Sequence, residues 1–296
     1  MKKYDLSIII TSYNTREITR NCLDSILKSL KKSSLNYEII VVDNASLDDS
    51  VKMLKSLRIN DLRIIENKKN LGFGKANNQA VELASSDYIL FLNSDILVLD
   101  SAIKELYKFY KQNENMINFL GGKLLNKDMT LQPSCGPFYT LPVVFAALFL
   151  RGDYYSLTRY SPNKLKEVDW ISGACILTKK QYLQSINGFD ENIFMYMDEI
   201  DLLYRAKMKN YRVFFYPNAR FIHLGSASSG ERKYPILQVF KGLIYFYKKH
   251  YSAPKLILLK IMLKLKARVG LTLGNLFNNA YLKETYGKAL KLVEVA

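Results

Sequence analysis

Four short apolar runs alternate with helix-like segments over the first 92 residues, and this order constrains the fold more than any other feature of the chain. The runs predict strands because their apolar residues are continuous, which is typical of parallel strands buried on both faces. They are Leu6–Ile10, Glu38–Val42, Arg63–Glu66 and Tyr88–Leu92. The segments between them predict helices over Thr15–Lys32, Ser46–Leu57 and Phe73–Ala84. This strand–helix repeat indicates an α/β fold with a mostly parallel central sheet and right-handed crossovers.

Polar or small residues follow each of the four predicted strands. Ligands of a parallel sheet bind beyond the carboxyl ends of its strands, so these residues are candidates for one shared site. In chain order they are Thr11, Tyr13, Asp43, Asn70, Gly72, Lys75, Asn78, Asn93, Ser94 and Asp95.

The chemistry of these residues suits a nucleotide with phosphate groups. Tyr13 can stack on a base and Asp43 can accept a base N–H, while Gly72 lets backbone approach a ligand with Lys75 as a nearby cation. Asp95 is a natural ligand for a hard metal ion. Helix caps or Asx turns would explain single residues, but the common sheet edge favours a binding site. The glycines near residue 72 do not follow the first strand, which argues against a dinucleotide-binding domain.

The second half of the chain holds three further candidates. Trp170 precedes a small-residue turn at Gly173, so it is either a core residue or a wall of a pocket. Carboxylates at Asp198 and Glu199 open a helix directly after an apolar stretch. They either compensate the helix dipole or act as a general base, because apolar surroundings raise the pKa of a carboxyl. His223 lies in an apolar run and is either a buried core histidine or a metal ligand.

Charge and hydropathy bear on partners and location. With 43 Lys and Arg against 27 Asp and Glu, the net charge is +16, but no nucleic-acid motif accompanies it, so we expect no nucleic-acid partner. Lys255–Arg268 mixes leucine and isoleucine with cations at 260, 264 and 268, which predicts an interfacial helix attracted to anionic lipid. A packed helical extension or a homodimer contact is the alternative.

Two further patterns concern the membrane and the compartment. No apolar run reaches 18 residues, so no transmembrane helix is expected. Phe138–Leu150 is too short to span, and it is either a buried segment or a loop that touches a membrane or lines an acceptor groove. The N-terminus has no signal-peptide pattern, and three scattered cysteines form no disulfide framework, so we expect a cytoplasmic protein.

Eight motifs in this order resemble those of family 2 glycosyltransferases, which have the GT-A fold, and in particular bacterial rhamnosyltransferase-like enzymes of cell-surface polysaccharide synthesis. The motifs are Ser12–Asn14, Val42–Ser46, Asn70–Gly74, Leu92–Asp95, Trp170–Ala174, Gly188–Glu191, Asp198–Leu202 and His223. The resemblance covers roughly residues 5–235. It implies a Rossmann-like glycosyltransferase domain over 1–235, followed by a basic, amphipathic helical region over 236–296.

The resemblance also implies roles for the candidate residues. The ten residues at the strand ends would hold a nucleotide-sugar donor. The family's metal motif falls on residues 93–95, where Asn93 replaces the first carboxylate, so Asp95 and His223 would hold a divalent cation, Mn²⁺ or Mg²⁺. The family's Glu-Asp pair occurs here in reversed order, which leaves Glu199 as the first candidate for the catalytic base and Asp198 as the second. Trp170 and Gly173 would line the acceptor side.

The implied function is metal-dependent, inverting transfer of a sugar, with rhamnose among the candidates, to a hydroxyl of a lipid-linked glycan acceptor at the inner face of the cell membrane. A nucleotidyltransferase is one alternative, but it would need a glycine- and arginine-rich loop after the first strand. A catalytically degenerate scaffold or sugar-nucleotide-binding protein is another. Asn93 and the reversed acidic pair support that alternative, and Asp95, Glu199 and His223 count against it.

Overall fold

The computed structural model of the protein describes residues 4–225 and 233–296. Its strands are β1 (Leu6–Ser12), β2 (Tyr37–Asp43), β3 (Leu62–Glu66), β4 (Tyr88–Asn93), β5 (Ile96–Val98), β6 (Phe119–Leu125), β7 (Leu131–Gln132), β8 (Cys135–Gly136), β9 (Lys166–Glu167), β10 (Trp170–Ile171), β11 (Cys175–Lys179) and β12 (Val213–His223). Its helices are α1 (Arg16–Leu30), α2 (Ser50–Ser56), α3 (Phe73–Leu83), α4 (Ala102–Gln112), α5 (Leu141–Phe149), α6 (Lys180–Ser185), α7 (Asp198–Met208), α8 (Lys233–His250), α9 (Ala253–Leu276) and α10 (Ala280–Val295).

The central sheet has the strand order β3-β2-β1-β4-β11-β6-β12-β5. The first four strands in this order are parallel, β11 is antiparallel to both of its neighbours, and β12 is parallel to β6 but antiparallel to β5. The predicted α/β fold, with a mostly parallel sheet flanked by helices and a C-terminal helical extension, is confirmed.

Two apolar clusters cover the two faces of the sheet. Ile8 and Ile10 of β1 join α1 and α4 in one cluster, whereas Ile9 joins α3 and α7 in the other. The alternation follows from the period of two along a strand, and it explains why β1 reads as a continuous apolar run.

The C-terminal helices extend the second cluster. Phe240, Leu243 and Phe246 of α8 share it with Phe91 of β4. Helix α8 begins at Lys233, so the predicted domain boundary after residue 235 falls within its first turn.

Two segments predicted from the sequence differ in detail from the helices that the structure shows. The helix predicted over Ser46–Leu57 begins at Ser50, because Ala45 and Asp49 adopt left-handed backbone conformations that interrupt a helix. The segment Phe138–Leu150 contains helix α5, with Pro142 in the first turn, where its missing N–H costs nothing. The helix is half-buried, since Val144 is buried while Phe145 is exposed. Among the described residues, no helix has both the length and the apolar content needed to cross a bilayer.

Candidate active site

A cleft of about 630 Å³ opens at the carboxyl ends of β1 and β4 and is closed on the far side by α7 and α8. Twelve of the predicted site residues line it. They are Thr11, Tyr13, Asn70, Gly72, Asn93, Ser94, Asp95, Trp170, Gly173, Asp198, Glu199 and His223. The topology brings together residues more than 200 positions apart because β12 returns to the sheet beside β5.

Asp43 does not line the cleft but is buried at the end of β2. Its Oδ1 accepts a hydrogen bond from the backbone N–H of Ser46 at 2.9 Å, whereas its Oδ2 is buried without any partner. A buried carboxylate oxygen with no donor is costly. This oxygen is not exposed to the cleft, and the contact between Asp43 and a base N–H stays a prediction.

Lys75 and Asn78 lie outside the cleft, contrary to the expectation that Lys75 would stand beside phosphate. The Lys75 ammonium pairs with Glu191 at 2.5 Å. Asn78 accepts from the backbone N–H of Phe189 and donates to its carbonyl, both at 2.9 Å. Both residues lie in α3 and point toward the segment at 189–191, where they brace the loop that leads to α7.

The loop before α3 is fixed by Asn44, which the sequence analysis quoted only within a motif. The Asn44 side chain donates to Asn70 Oδ1 at 3.0 Å and to the carbonyl of Gly72 at 3.1 Å. Gly72 has φ of 83°, and a Cβ there would lie 2.5 Å from the carbonyl oxygen of Phe194. Glycine is required here by both its conformation and the close approach of the backbone.

Asp95 and His223 meet because β12 pairs antiparallel with β5, which places His223 opposite Ile96. His223 Nε2 lies 3.3 Å from Asp95 Oδ1 and 3.3 Å from Asn93 Nδ2. On the other side of the ring, Nδ1 lies 2.7 Å from Gln132 Oε1, while the Gln132 amide nitrogen donates to the His223 carbonyl. This network assigns the ring proton to Nδ1 and leaves a lone pair on Nε2.

The Asp95–His223 pair fits a divalent cation. Two acceptor atoms 3.3 Å apart repel unless a proton or a cation lies between them, and adjacent ligands of an octahedral ion at 2.0–2.1 Å are about 3 Å apart. Asn93 Oδ1, beside them, is buried without a partner. Among the described residues no three His, Cys, Asp or Glu side chains converge, so ligand phosphate oxygens would have to complete the shell of such an ion.

The acidic pair begins α7 after two consecutive left-handed residues, Tyr196 (φ 63°) and Met197 (φ 70°). Such conformations are unfavourable for side chains of this size and persist only where the surroundings hold them. Helix α8 supplies that support, because a Cβ at Gly242 would lie 2.8 Å from Met197 Cγ and 3.0 Å from the Tyr196 carbonyl oxygen. The strained conformations of Tyr196 and Met197 therefore orient the first turn of α7 toward the cleft.

The two carboxyl groups of the pair differ in their surroundings. Burial raises the pKa of both, and the neighbouring Glu199 charge raises the pKa of Asp198 further, well above its usual range. For Glu199, its own backbone N–H, the charge of Arg159 and the backbone N–H of Gly173 hold that rise back. The surroundings of Glu199 therefore favour its charged form more than those of Asp198 do.

Asp201, one turn further along α7, anchors the end of α8. Its buried carboxylate binds Arg205 at 2.7 Å, Lys249 at 2.8 Å and His250 at 2.7 Å. Burial would raise the pKa of Asp201, but the hydrogen bond from His250 and the charges of Arg205 and Lys249 bring it below its usual value. The network ties α8 to the helix that carries the acidic pair.

The remaining wall of the cleft is aromatic and apolar. Trp170 is buried, and its indole N–H donates to the Pro137 carbonyl at 2.8 Å. Its ring stacks against that of Tyr139, with 6.3 Å between the ring centroids. Gly173 lies against Glu199, since a Cβ there would be 3.6 Å from the Glu199 Cβ. Trp170 is thus both a core residue and part of the wall.

Six cleft residues lie outside every motif and segment named from the sequence. They are Gln132, Pro133, Asp153, Arg159, Val239 and Leu243, whereas Tyr139 belongs to Phe138–Leu150, for which an acceptor groove was one expectation. Gln132 and Arg159 stand in loops or very short strands with no recognisable motif. Val239 and Leu243 belong to α8, which was assigned to a separate region, and only its apolar residues hinted that it packs on the domain.

Comparisons with known proteins agree with this geometry. Residues 7–135 match the family described as Glycosyl transferase family 2. The low-salt glycan biosynthesis hexosyltransferase Agl10 of Haloferax volcanii is 26% identical over 213 residues, which are 71% of this chain and 64% of that protein. Rhamnosyltransferase WbbL of Escherichia coli is 28% identical over 228 residues, 73% of this chain and 82% of WbbL.

A third relative is the N-acetylglucosaminyl-diphospho-decaprenol L-rhamnosyltransferase of Mycobacterium tuberculosis, 25% identical over 211 residues, 65% of this chain and 68% of that protein. The chain spans less than two thirds of the length of the haloarchaeal relative. The family match covers β1 to β7, with the strand ends of the parallel sheet and Asp95. Residues 7–135 therefore match a glycosyltransferase family 2 domain, and the mostly parallel sheet flanked by helices is consistent with the GT-A fold.

Proposed function

We propose that the protein is a metal-dependent, inverting glycosyltransferase that moves a sugar from a nucleotide-diphosphate sugar to a hydroxyl of a glycan acceptor. The observation that carries the proposal is a single cleft that holds the Asp95–His223 pair at one end and the buried carboxyl groups of Asp198 and Glu199 at the other. The first suits a diphosphate and the second suits an alcohol that must lose a proton.

In this mechanism the chain binds the donor at the sheet edge. Tyr13, which lines the cleft, offers its ring to the base. Asp95 and His223 would hold Mn²⁺ or Mg²⁺, and such an ion would supply positive charge to offset the charge that develops on the departing diphosphate. The loop at Gly72 lets the backbone come close to the donor.

The acceptor hydroxyl lies at Glu199. Glu199 takes the hydroxyl proton as the oxygen attacks the anomeric carbon, the bond from that carbon to the diphosphate oxygen breaks, and the nucleoside diphosphate leaves with the electron pair. Attack from the face opposite the leaving group inverts the anomeric centre. Asp198 keeps its own proton and so leaves Glu199 as the carboxylate of the pair.

Relatives support a finer reading of the substrates. Two of them are named as rhamnosyltransferases, and one of these acts on a diphospho-decaprenol acceptor by its name. We propose rhamnose as the first donor sugar to test and a lipid-linked glycan of cell-surface polysaccharide synthesis as the acceptor. Such an acceptor would be met at the cytoplasmic face of the membrane, where α9 offers a basic, apolar surface.

A donor screen tests this proposal. Purified protein with Mn²⁺, Mg²⁺ or EDTA is offered a panel of sugar nucleotides, and thermal shift and nucleoside diphosphate release are measured. We expect one donor to raise the melting temperature only with metal, and Asp95→Ala to abolish that rise, while Asp128→Ala, an exposed aspartate outside the cleft, retains it.

Two results would count against the proposal. Donor binding that is equal in EDTA, or unchanged in Asp95→Ala, would remove the metal from the mechanism. A folded protein that binds a donor but transfers to no acceptor would favour the sugar-nucleotide-binding scaffold instead.

A further inference from the structure

Arg159 is the only lysine or arginine among the described residues that line the cleft. It lies in the loop between α5 and β9, and its guanidinium lies 5.9 Å from the centre of the Trp170 ring. Burial raises the pKa of both Glu199 and Tyr139, and the positive charge of Arg159 partly offsets that rise. Arg159 therefore acts on the same end of the cleft as the proposed base.

The hydrogen-bonding capacity of Arg159 is almost unused. Its Nε is buried without a partner, and Nη2 reaches only the Pro133 carbonyl, at 3.5 Å. Nη1 lies 3.9 Å from Asp153 Oδ2, at the limit of an ion pair, while the Thr158 hydroxyl donates to the other oxygen, Oδ1. A guanidinium offers five donors in a planar fork, and here only these long contacts engage it.

The chemistry that fills such a fork is an oxyanion. Arginine binds phosphate and carboxylate groups through paired N–H donors, which give both affinity and orientation. The donor diphosphate already has a place at Asp95 and His223. The base side of the cleft, by contrast, has no other cation among its described residues, and its walls at Tyr139, Val239 and Leu243 are apolar or aromatic.

We propose that Arg159 binds a phosphate of the acceptor, which is therefore a sugar carried on a phosphate or diphosphate ester, with the ester's apolar tail toward Val239 and Leu243. This inference rests on the proposed glycosyl transfer and names its acceptor class. It also couples binding to chemistry, because a bound phosphate offsets the charge that weakens Glu199 as a base. Glu199 is then most basic when the acceptor is in place.

The test compares two acceptors of one sugar: its diphosphate ester with a short alkyl chain, and its neutral alkyl glycoside. Initial rates are measured for the wild type, Arg159→Gln and Arg159→Lys. Arg220→Gln serves as the control, because Arg220 is exposed, pairs with Asp100 and lies outside the cleft.

We expect Arg159→Gln to raise the ratio of KM for the diphosphate ester to KM for the glycoside about 10- to 100-fold, the loss typical of hydrogen bonds to a charged group. Arg159→Lys should show a smaller rise, since lysine keeps the charge without the fork. An unchanged ratio, or a rise in the donor KM instead, would overturn the proposal.

A binding measurement separates this inference from the proposed function. The alkyl sugar diphosphate is titrated calorimetrically into each protein with EDTA present, which suppresses binding through a metal. If the wild type binds it and Arg159→Gln binds about tenfold more weakly, the anion site stands even if no donor supports turnover. Equal binding by the two proteins would overturn the site whether or not transfer is observed.

Discussion

At the scale of single residues, the chemistry depends on which member of the acidic pair is ionised. Asp198 and Glu199 are adjacent, and burial raises the pKa of both. The backbone N–H of Gly173 and the charge of Arg159 offset part of this rise for Glu199. We therefore propose Glu199 rather than Asp198 as the base, despite the reversed order of the pair.

We expect Glu199→Gln to lower kcat by about 10²- to 10⁴-fold, the usual contribution of a general base, while the thermal shift caused by the donor is retained. Glu105→Gln, which changes an exposed glutamate of α4 outside the cleft, should leave kcat within about twofold. Steady-state rates with saturating donor check both. A Glu199→Gln enzyme of near-normal rate would remove this residue from the base position.

The pH dependence of kcat follows from the same residue. The base must be ionised, and burial raises the pKa of Glu199 above the ordinary value of 4.5, so kcat falls as pH drops and begins to fall at a higher pH than for an exposed glutamate. A rate profile recorded on Arg159→Gln should have its acidic limb at higher pH, because the charge that lowers this pKa is gone. If the acidic limb lies at the same pH in Arg159→Gln and in the wild type, Arg159 does not act on the base.

At the scale of elements, the packing of α8 on the start of α7 decides whether the base is held in position. Gly242 is the contact point, where α8 touches the left-handed residues Tyr196 and Met197. The Asp201 network holds the other end of α8 against the same helix.

Gly242→Ala tests this contact. The added methyl group meets Met197 and the Tyr196 carbonyl, so we expect a destabilisation of about 1–3 kcal/mol and a larger loss of kcat than of donor binding. Gly287→Ala is the matched control, because nothing lies within 4 Å of a Cβ at that helical glycine. It should be neutral or stabilise by up to about 1 kcal/mol. Equal behaviour of the two variants in thermal unfolding and kinetics would contradict the role of this contact.

At the scale of the whole molecule, helix α9 exposes apolar side chains beside basic ones. Helix α9 buries Leu259 and Leu263 but exposes Leu258, Ile261 and Leu265. Lysines at 260 and 264 and the arginine at 268 lie along one edge of this apolar face. Helix α5, whose Phe145 is also exposed, packs beside it, with the Lys266 ammonium on the Leu148 carbonyl at 2.7 Å. We propose that this combination binds anionic lipid.

Vesicle sedimentation tests the surface. We expect the protein to sediment with vesicles that contain anionic lipid, less with zwitterionic vesicles, and less again at high salt. Ile261→Glu combined with Leu265→Glu should abolish binding, whereas Leu83→Glu, at a partly exposed leucine outside α9, should not. If the double variant instead becomes monomeric from a dimeric wild type, α9 is a contact between copies of this chain.

The sequence predicts well whatever depends on neighbouring residues. The four parallel strands, the polar residues at their ends and the pairing of Asp95 with His223 all follow from local pattern and a family resemblance. Lys75 was placed wrongly at the phosphate because its position after a glycine turn says nothing about Glu191, 116 residues away, which holds its ammonium. Arg159 and α8 were missed for the same reason, since their places in the cleft depend on long-range packing.

The dependence of the base on α8 also sets an order in time. A chain is made from its N-terminus, so Asp95 and His223 both leave the ribosome before residues 233–250 of α8. Until that helix docks, the strained residues before Asp198 and Glu199 lack their support. The acidic pair is therefore the last part of the cleft to be fixed in position, so a newly made chain gains the end proposed to hold the diphosphate before the end proposed to carry out the transfer.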